Sequence, residues 1–124
     1  MKKDEVCEVY CFDEKLVNET KDKLNKEDIK SAALMFKVLA DLNRAKIAFA
    51  LEKAKELCVC DLANILDITI PNTSHHLRKM LALGVVKYRK EGKLAFYSLE
   101  DEYVGNILVD TLKHLSEVVN NEWR

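Results

Sequence analysis

ELCVCDLANILDITIPNTSHHLRKMLALG, residues 56–84, reads as two short helices joined by a tight turn, with two cysteines at the entrance to the first. Leu62, Ala63, Ile65 and Leu66 recur at helical spacing and give the first helix its apolar face. Asp61 stands before them as an N-cap or first-turn acid. Asp67-Ile68-Thr69 is the turn. The second helix opens around Ile70 and Pro71, where proline is tolerated because first-turn N–H groups have no intrahelical partner. Gly84 ends it where a left-handed residue is wanted.

The second helix has two faces. Ile70, Ser74, Leu77 and Leu81 are expected to point inward. Asn72, His75, His76 and Lys79 lie roughly opposite, with Arg78 beside them. Amides, imidazoles and cations suit the base edges and phosphates of a DNA major groove. The bland alternative is a solvated helix face. The candidate DNA contacts on this helix are Asn72, Thr73, Ser74, His75, His76, Arg78 and Lys79.

The next stretch weighs against the bland reading. Val85 to Lys90 alternates apolar and basic residues, Glu91-Gly92-Lys93 is a turn, and Leu94 to Leu99 alternates again, which is a β-hairpin signal. Two helices followed by a basic hairpin make a winged helix-turn-helix, and Lys87, Arg89, Lys90 and Lys93 are the candidate phosphate contacts of the wing. From Ile70 to Tyr97 there are six basic residues and one acid, Glu91, so this stretch carries +5 in a chain of net charge −1. That asymmetry is the footprint of a phosphate-binding face.

At 124 residues the chain is expected to be one domain with a modest core. A third of its residues are charged, nearly half are apolar, and Gly and Pro are scarce, which suits a soluble, mainly helical protein. No apolar run approaches the roughly 20 residues needed to span a bilayer. The charged N-terminus has no apolar segment behind it, so no secretory signal is expected. The expected location is cytoplasmic, where four cysteines are thiols or metal ligands more readily than structural disulfides.

The cysteines fall in two pairs. Cys7 and Cys11 form a C-x3-C pair in residues 1–12, a segment without periodicity that is expected to be mobile. Residues i and i+4 share a helix face, and in a loop they can converge. Cys58 and Cys60 cannot share a metal from within a regular helix, because i and i+2 point about 200° apart. They can do so where an extended chain enters a helix, and a helix N-terminus favours the thiolate. The alternatives are incidental tail cysteines and a small buried hydrophobe. Three or four thiolates select soft ions: Cd(II), Pb(II), Bi(III), or tetrahedral Zn(II).

Other elements flank this centre. Asp13 to Asn25 reads as a polar helix, and Lys26 to Leu42 as a helix with a stripe of Ile29, Ala32, Ala33, Phe36, Leu39 and Ala40. Asn43 is then expected to cap a helix from Arg44 to Lys53, with Ile47, Ala48 and Leu51 facing the core. Glu100 to Val119 is a last helix striped by Val104, Leu108, Leu112, Leu115 and Val119. So small a domain leaves that stripe uncovered, and a partner subunit is its expected cover. The expected divisions are a ligand arm at 1–12, the winged helix-turn-helix with its dimerisation helices at 13–119, and a tail at 120–124.

ELCVCDLA, SHHLRKM and GVVKYRKEGKLAFYSL together resemble the ArsR/SmtB family of metal-responsive bacterial repressors, in particular its cadmium/lead-responsive, CadC-type branch. The resemblance runs from Cys7 to about Glu117. It implies a homodimeric winged helix-turn-helix that binds double-stranded operator DNA and is released by Cd(II), Pb(II) or Zn(II), with no organic cofactor, no membrane and no enzymatic activity. It implies a sensing site of Cys7 and Cys11 from one subunit with Cys58 and Cys60 from the other, in which Cys11 does not ligate every metal. It further implies a dimer interface on the last helix and one near the N-terminus, and control of a heavy-metal efflux pump. Family members often hold a second metal on the last helix. Here the matching set is Asp101, His114 and Glu117, with Tyr103 replacing a histidine, a poor zinc ligand near neutral pH. A thiol-based redox-sensing regulator is the alternative function. A purely structural metal is another. A hydrolase built on His75 and His76 lacks both a phosphate loop and a spaced acidic partner.

Overall fold

In the computed structural model the chain is described from residue 11 to residue 121, the last three residues by backbone alone. It divides into two compact units, one ending at Ala32 and the other beginning at Ala33. In the first unit, helix α1 (Glu14–Asn25) is capped by Asp13, whose Oδ1 accepts from the Leu16 N–H at 3.1 Å. This helix buries no residue, and Leu16 and Leu24 stand exposed on it. Helix α2 (Ile29–Leu39) begins in this unit and runs into the second.

The second unit continues with α3 (Leu42–Ala54), the two-residue strand β1 (Leu57–Cys58), α4 (Val59–Leu66), α5 (Ile70–Ala82), β2 (Val86–Glu91), β3 (Leu94–Leu99) and α6 (Glu102–Asn121). The cap of α3 is Asp41, whose carboxylate accepts from Arg44 N–H at 3.1 Å, and Asn43 lies inside the helix. Either residue type can cap. Asp41 does so because the helix begins two residues earlier than the apolar stripe suggests.

The three strands form one antiparallel sheet in the order β1-β3-β2. Val86 to Glu91 pairs with Leu99 to Leu94 in unbroken register, and Gly92 at φ 64° opens the two-residue turn. Positive φ carries little penalty for glycine, which is why a tight hairpin closes there. Leu57 and Cys58 pair with Tyr97 and Phe96 on the opposite edge of β3. A two-residue strand carries no periodicity, so nothing in the sequence announces it.

The core is one cluster. Ile47, Ala48 and Leu51 of α3 meet Leu62 and Leu66 of α4, Leu77 and Met80 of α5, Val85, Val86, and Val104 of α6. Each fully buried aliphatic side chain contributes about 1.5–3 kcal/mol of transfer free energy. α4 and α5 therefore dock on α3 as one unit. Ile65, expected inside, is exposed.

Candidate functional site

The tight turn sets the pose of α5. Asp67 closes α4 in the left-handed conformation at φ 57°, and its N–H bonds back to the Ala63 carbonyl. Two residues later Thr69 caps α5, its Oγ1 accepting from Asn72 N–H at 3.1 Å, with Pro71 in the first turn. Asn72, His75, Arg78 and Lys79 are exposed, while Ser74 and His76 are half-buried. Thr73 is corrected from the expected DNA-contacting set. It is fully buried, and its hydroxyl donates to the Thr69 carbonyl at 2.9 Å. The inward face of α5 is Thr73, Leu77 and Met80, so the helix sits in a different phase from the expected Ile70, Ser74, Leu77 and Leu81. Ile70 is 48% exposed, and Leu81 is partly buried against the core.

On the wing, Lys87, Lys90 and Lys93 are exposed and make no ion pair among the described residues. Arg89 differs. Its Nε and Nη2 reach the two Glu56 oxygens at 2.7 and 2.9 Å, and its Nη1 reaches Glu91 at 3.0 Å. The guanidinium also lies over the Phe96 ring, 4.9 Å from its centre. The hydrogen bond from Arg89 holds Glu56 below the usual carboxylate range. Only β2 residue Val86 is buried. Tyr88, expected on the covered face, is 49% exposed and packs on Tyr97.

The thiol junction lies where β1 becomes α4. Cys58 is extended at φ −85° and ψ 170° and is the N-cap of α4. Its N–H donates to Asp61 Oδ2 at 3.4 Å, and its side chain lies toward the Asp61 N–H, so Asp61 is a first-turn acid in a capping box. Cys58 is buried and Cys60, in the first turn of the helix, is exposed. Asn64 Nδ2 donates to the Cys60 carbonyl at 2.9 Å. Cys58 and Cys60 are free of disulfides. Cys11 is exposed in the first unit, and Cys7 lies outside the described residues.

Thiols at an extended-to-helical junction fit a soft ion by donor chemistry, with Cys58 sulfur at the positive end of a helix. Among the described residues, no three of His, Cys, Asp or Glu stand together as a metal would need. A metal held by Cys58 and Cys60 would need further ligands from outside these residues. The second set is likewise dispersed within one chain. Asp101 precedes α6 and accepts from Tyr103 N–H at 2.9 Å, while His114 and Glu117 are exposed about 20 Å further along the helix.

Two residues that matter at this surface escape the sequence pattern. Arg44 reaches His76 across the fold, and Glu56 occupies Arg89. Both contacts span more than thirty residues and leave no local mark.

A family model described as bacterial regulatory protein, arsR family, matches residues 41–88, from the cap of α3 to the start of the wing. The chain is 46% identical over 116 residues to a cadmium resistance transcriptional regulatory protein CadC homolog of Staphylococcus aureus, covering 94% of this chain and 96% of that one. The solved structure of HlyU from Vibrio cholerae is 28% identical and matches with a TM-score of 0.64, over 72% of this chain and 95% of that one. A homodimeric winged helix-turn-helix DNA-binding domain from Mycobacterium bovis matches with a TM-score of 0.70 at 22% identity, over 77% of this chain and 88% of that one, a likeness of fold.

Proposed function

This chain belongs to the arsR family of bacterial regulatory proteins, and from that premise we propose that it is a homodimeric, metal-responsive repressor that leaves its operator when a thiophilic ion binds. Two copies of α5 enter successive major grooves of an inverted repeat, and Lys87, Lys90 and Lys93 of each wing hold flanking phosphates. Asn72, Ser74, His75, His76, Arg78 and Lys79 supply the groove contacts. The cadmium-resistance relative and the homodimeric neighbour support the inducer and the assembly. The controlled function is heavy-metal efflux, and the compartment is the cytoplasm. No helix among the described residues is long and apolar enough to cross a membrane.

The observation that carries the reading is the double position of Cys58. It caps the first helix of the DNA-binding pair, and it pairs with Phe96 on the central strand of the wing sheet. Cys58 and Cys60 hold the ion together with Cys7 and Cys11 of a second subunit. Cd(II), Pb(II) or Zn(II) would supply a cross-link between thiolates. When Cys58 turns its sulfur to that ligation it gives up its place over the Asp61 N–H. The start of α4 then shifts, and with it the docking of α5 on one side and the edge of β3 on the other. Coupling of this kind is on the order of 1–3 kcal/mol and is reciprocal, so operator DNA weakens metal binding by the same factor.

The test is operator binding by the metal-free dimer, titrated with Cd(II) while thiolate-to-metal charge-transfer absorption is recorded. Absorption is expected to rise as DNA is released, and Cys58→Ser is expected to abolish release while leaving operator binding within about 2-fold. DNA that stays bound as the absorption saturates would refute the coupling.

A further inference from the structure

The recognition helix is held by an arginine from another element. Arg44, in the first turn of α3, donates through Nε to the Val38 carbonyl at 2.7 Å, and its Nη1 stands 3.3 Å from Nδ1 of His76. Asp41 accepts from the Arg44 N–H and lies 3.8 Å from the same imidazole nitrogen. The His76 side chain is only 15% exposed.

This geometry fixes a proton. A guanidinium only donates and does not lose its charge, so Nδ1 must offer a lone pair and the ring proton sits on Nε2. Burial pushes His76 below its ordinary value; Asp41 opposes that shift, and Arg44, His75 and Lys79 add to it, which favours the neutral ring. Nε2 has no hydrogen-bond partner among the described residues, and no buried side-chain nitrogen or oxygen there lacks a partner. Nε2 therefore reaches solvent.

We propose that Arg44 is a positioning residue that holds His76 as its Nε2–H form, so that α5 offers a donor and not an acceptor to the operator. This rests on the DNA-binding reading above. The atom it recognises is a hydrogen-bond acceptor: a purine N7, guanine O6, thymine O4 or a phosphate oxygen. The exocyclic amino groups of adenine and cytosine are refused, since two donors would meet. Without Arg44 a neutral imidazole exchanges between two forms, and the discrimination of this position weakens.

The first test needs no DNA. Side-chain 15N spectra of the full chain at pH 7.5 are expected to show His76 with an unprotonated Nδ1 and a protonated Nε2. Arg44→Met is expected to move both signals toward the average of the two tautomers, and Arg44→Lys, which can still donate, to move them back. An averaged or Nδ1-protonated ring in the unaltered protein overturns the proposal, as does a spectrum indifferent to Arg44→Met. The second test uses an operator duplex selected from a random pool by the unaltered protein, with two variants that keep Arg44. His76→Gln places an amide nitrogen near the Nε2 position, and His76→Asn places one near Nδ1. Gln is expected to bind within about 2-fold of the unaltered protein and Asn about 3- to 10-fold more weakly per bound subunit. Equal losses overturn the donor role. Base analogues lacking purine N7, guanine O6 or thymine O4 that erase the Gln–Asn difference identify a base edge, methylphosphonates that erase it identify a phosphate, and persistence through all of them overturns the DNA contact. If no duplex is selected at all, the DNA-binding premise fails while the tautomer result stands by itself.

Discussion

At Thr73 one side chain decides which way the recognition helix faces. Threonine is polar enough to be read as a base contact, and it sits among residues that are. A hydroxyl that returns to the carbonyl four residues back needs no solvent, however, and so can be buried. The Thr69 carbonyl also takes the Thr73 N–H at 3.0 Å, so loss of the hydroxyl leaves no orphan acceptor. Thr73→Val is therefore expected to cost about 1 kcal/mol or less in urea unfolding, and to change operator affinity by less than about 2-fold. A tenfold loss of affinity without loss of stability would return Thr73 to the DNA surface. His76 is a related case. The sequence marks it as a histidine on the polar side of a helix, and only its approach to Arg44 and Asp41 turns it into a directed donor.

Among the elements, β1 has the largest consequence for its length. Two residues join the thiol junction to the wing, and they bring Glu56 beside Arg89 on the same side of the sheet. Arg89 looks like a phosphate contact because it is basic and lies on a hairpin. In the fold its guanidinium is forked onto the Glu56 carboxylate. An exposed ion pair of this sort stabilises little, so its main effect falls on the competition for DNA. Glu56→Ala is expected to raise operator affinity by about 2- to 3-fold and to steepen its salt dependence by about one released counterion per subunit. An unchanged salt slope would mean that Arg89 never meets a phosphate. The longer elements were readable in advance because their periodicity extends over several turns. α4, α5, the hairpin and α6 all stand close to where their apolar spacing puts them, within three residues at the ends.

At the scale of the molecule, the second unit leaves apolar surface uncovered. Leu112 and Leu115 on α6 are 47% and 43% exposed, and Leu112 lines a groove with Phe49 and Ile65, also exposed. A monomer has no use for such a surface, and a second copy is the cover proposed above. Leu112→Glu is expected to shift sedimentation from dimer to monomer and to weaken operator binding more than about 100-fold, since each half-site then binds alone. A dimer that survives this change would move the interface elsewhere. The sequence by itself determined the helix order, the turn at Asp67 to Thr69, the hairpin at Gly92, the basic stretch and the placing of two cysteines at a helix entrance. Those features are local: spacing, capping and turn chemistry act within a few residues. Only the tertiary structure decided the phase of the recognition helix, the third strand, and the partners of His76 and Arg89. The strand pairing and the Arg44–His76 and Glu56–Arg89 contacts join groups more than thirty positions apart, and all of these features arise when α4 and α5 dock on α3 and β1 docks on the wing.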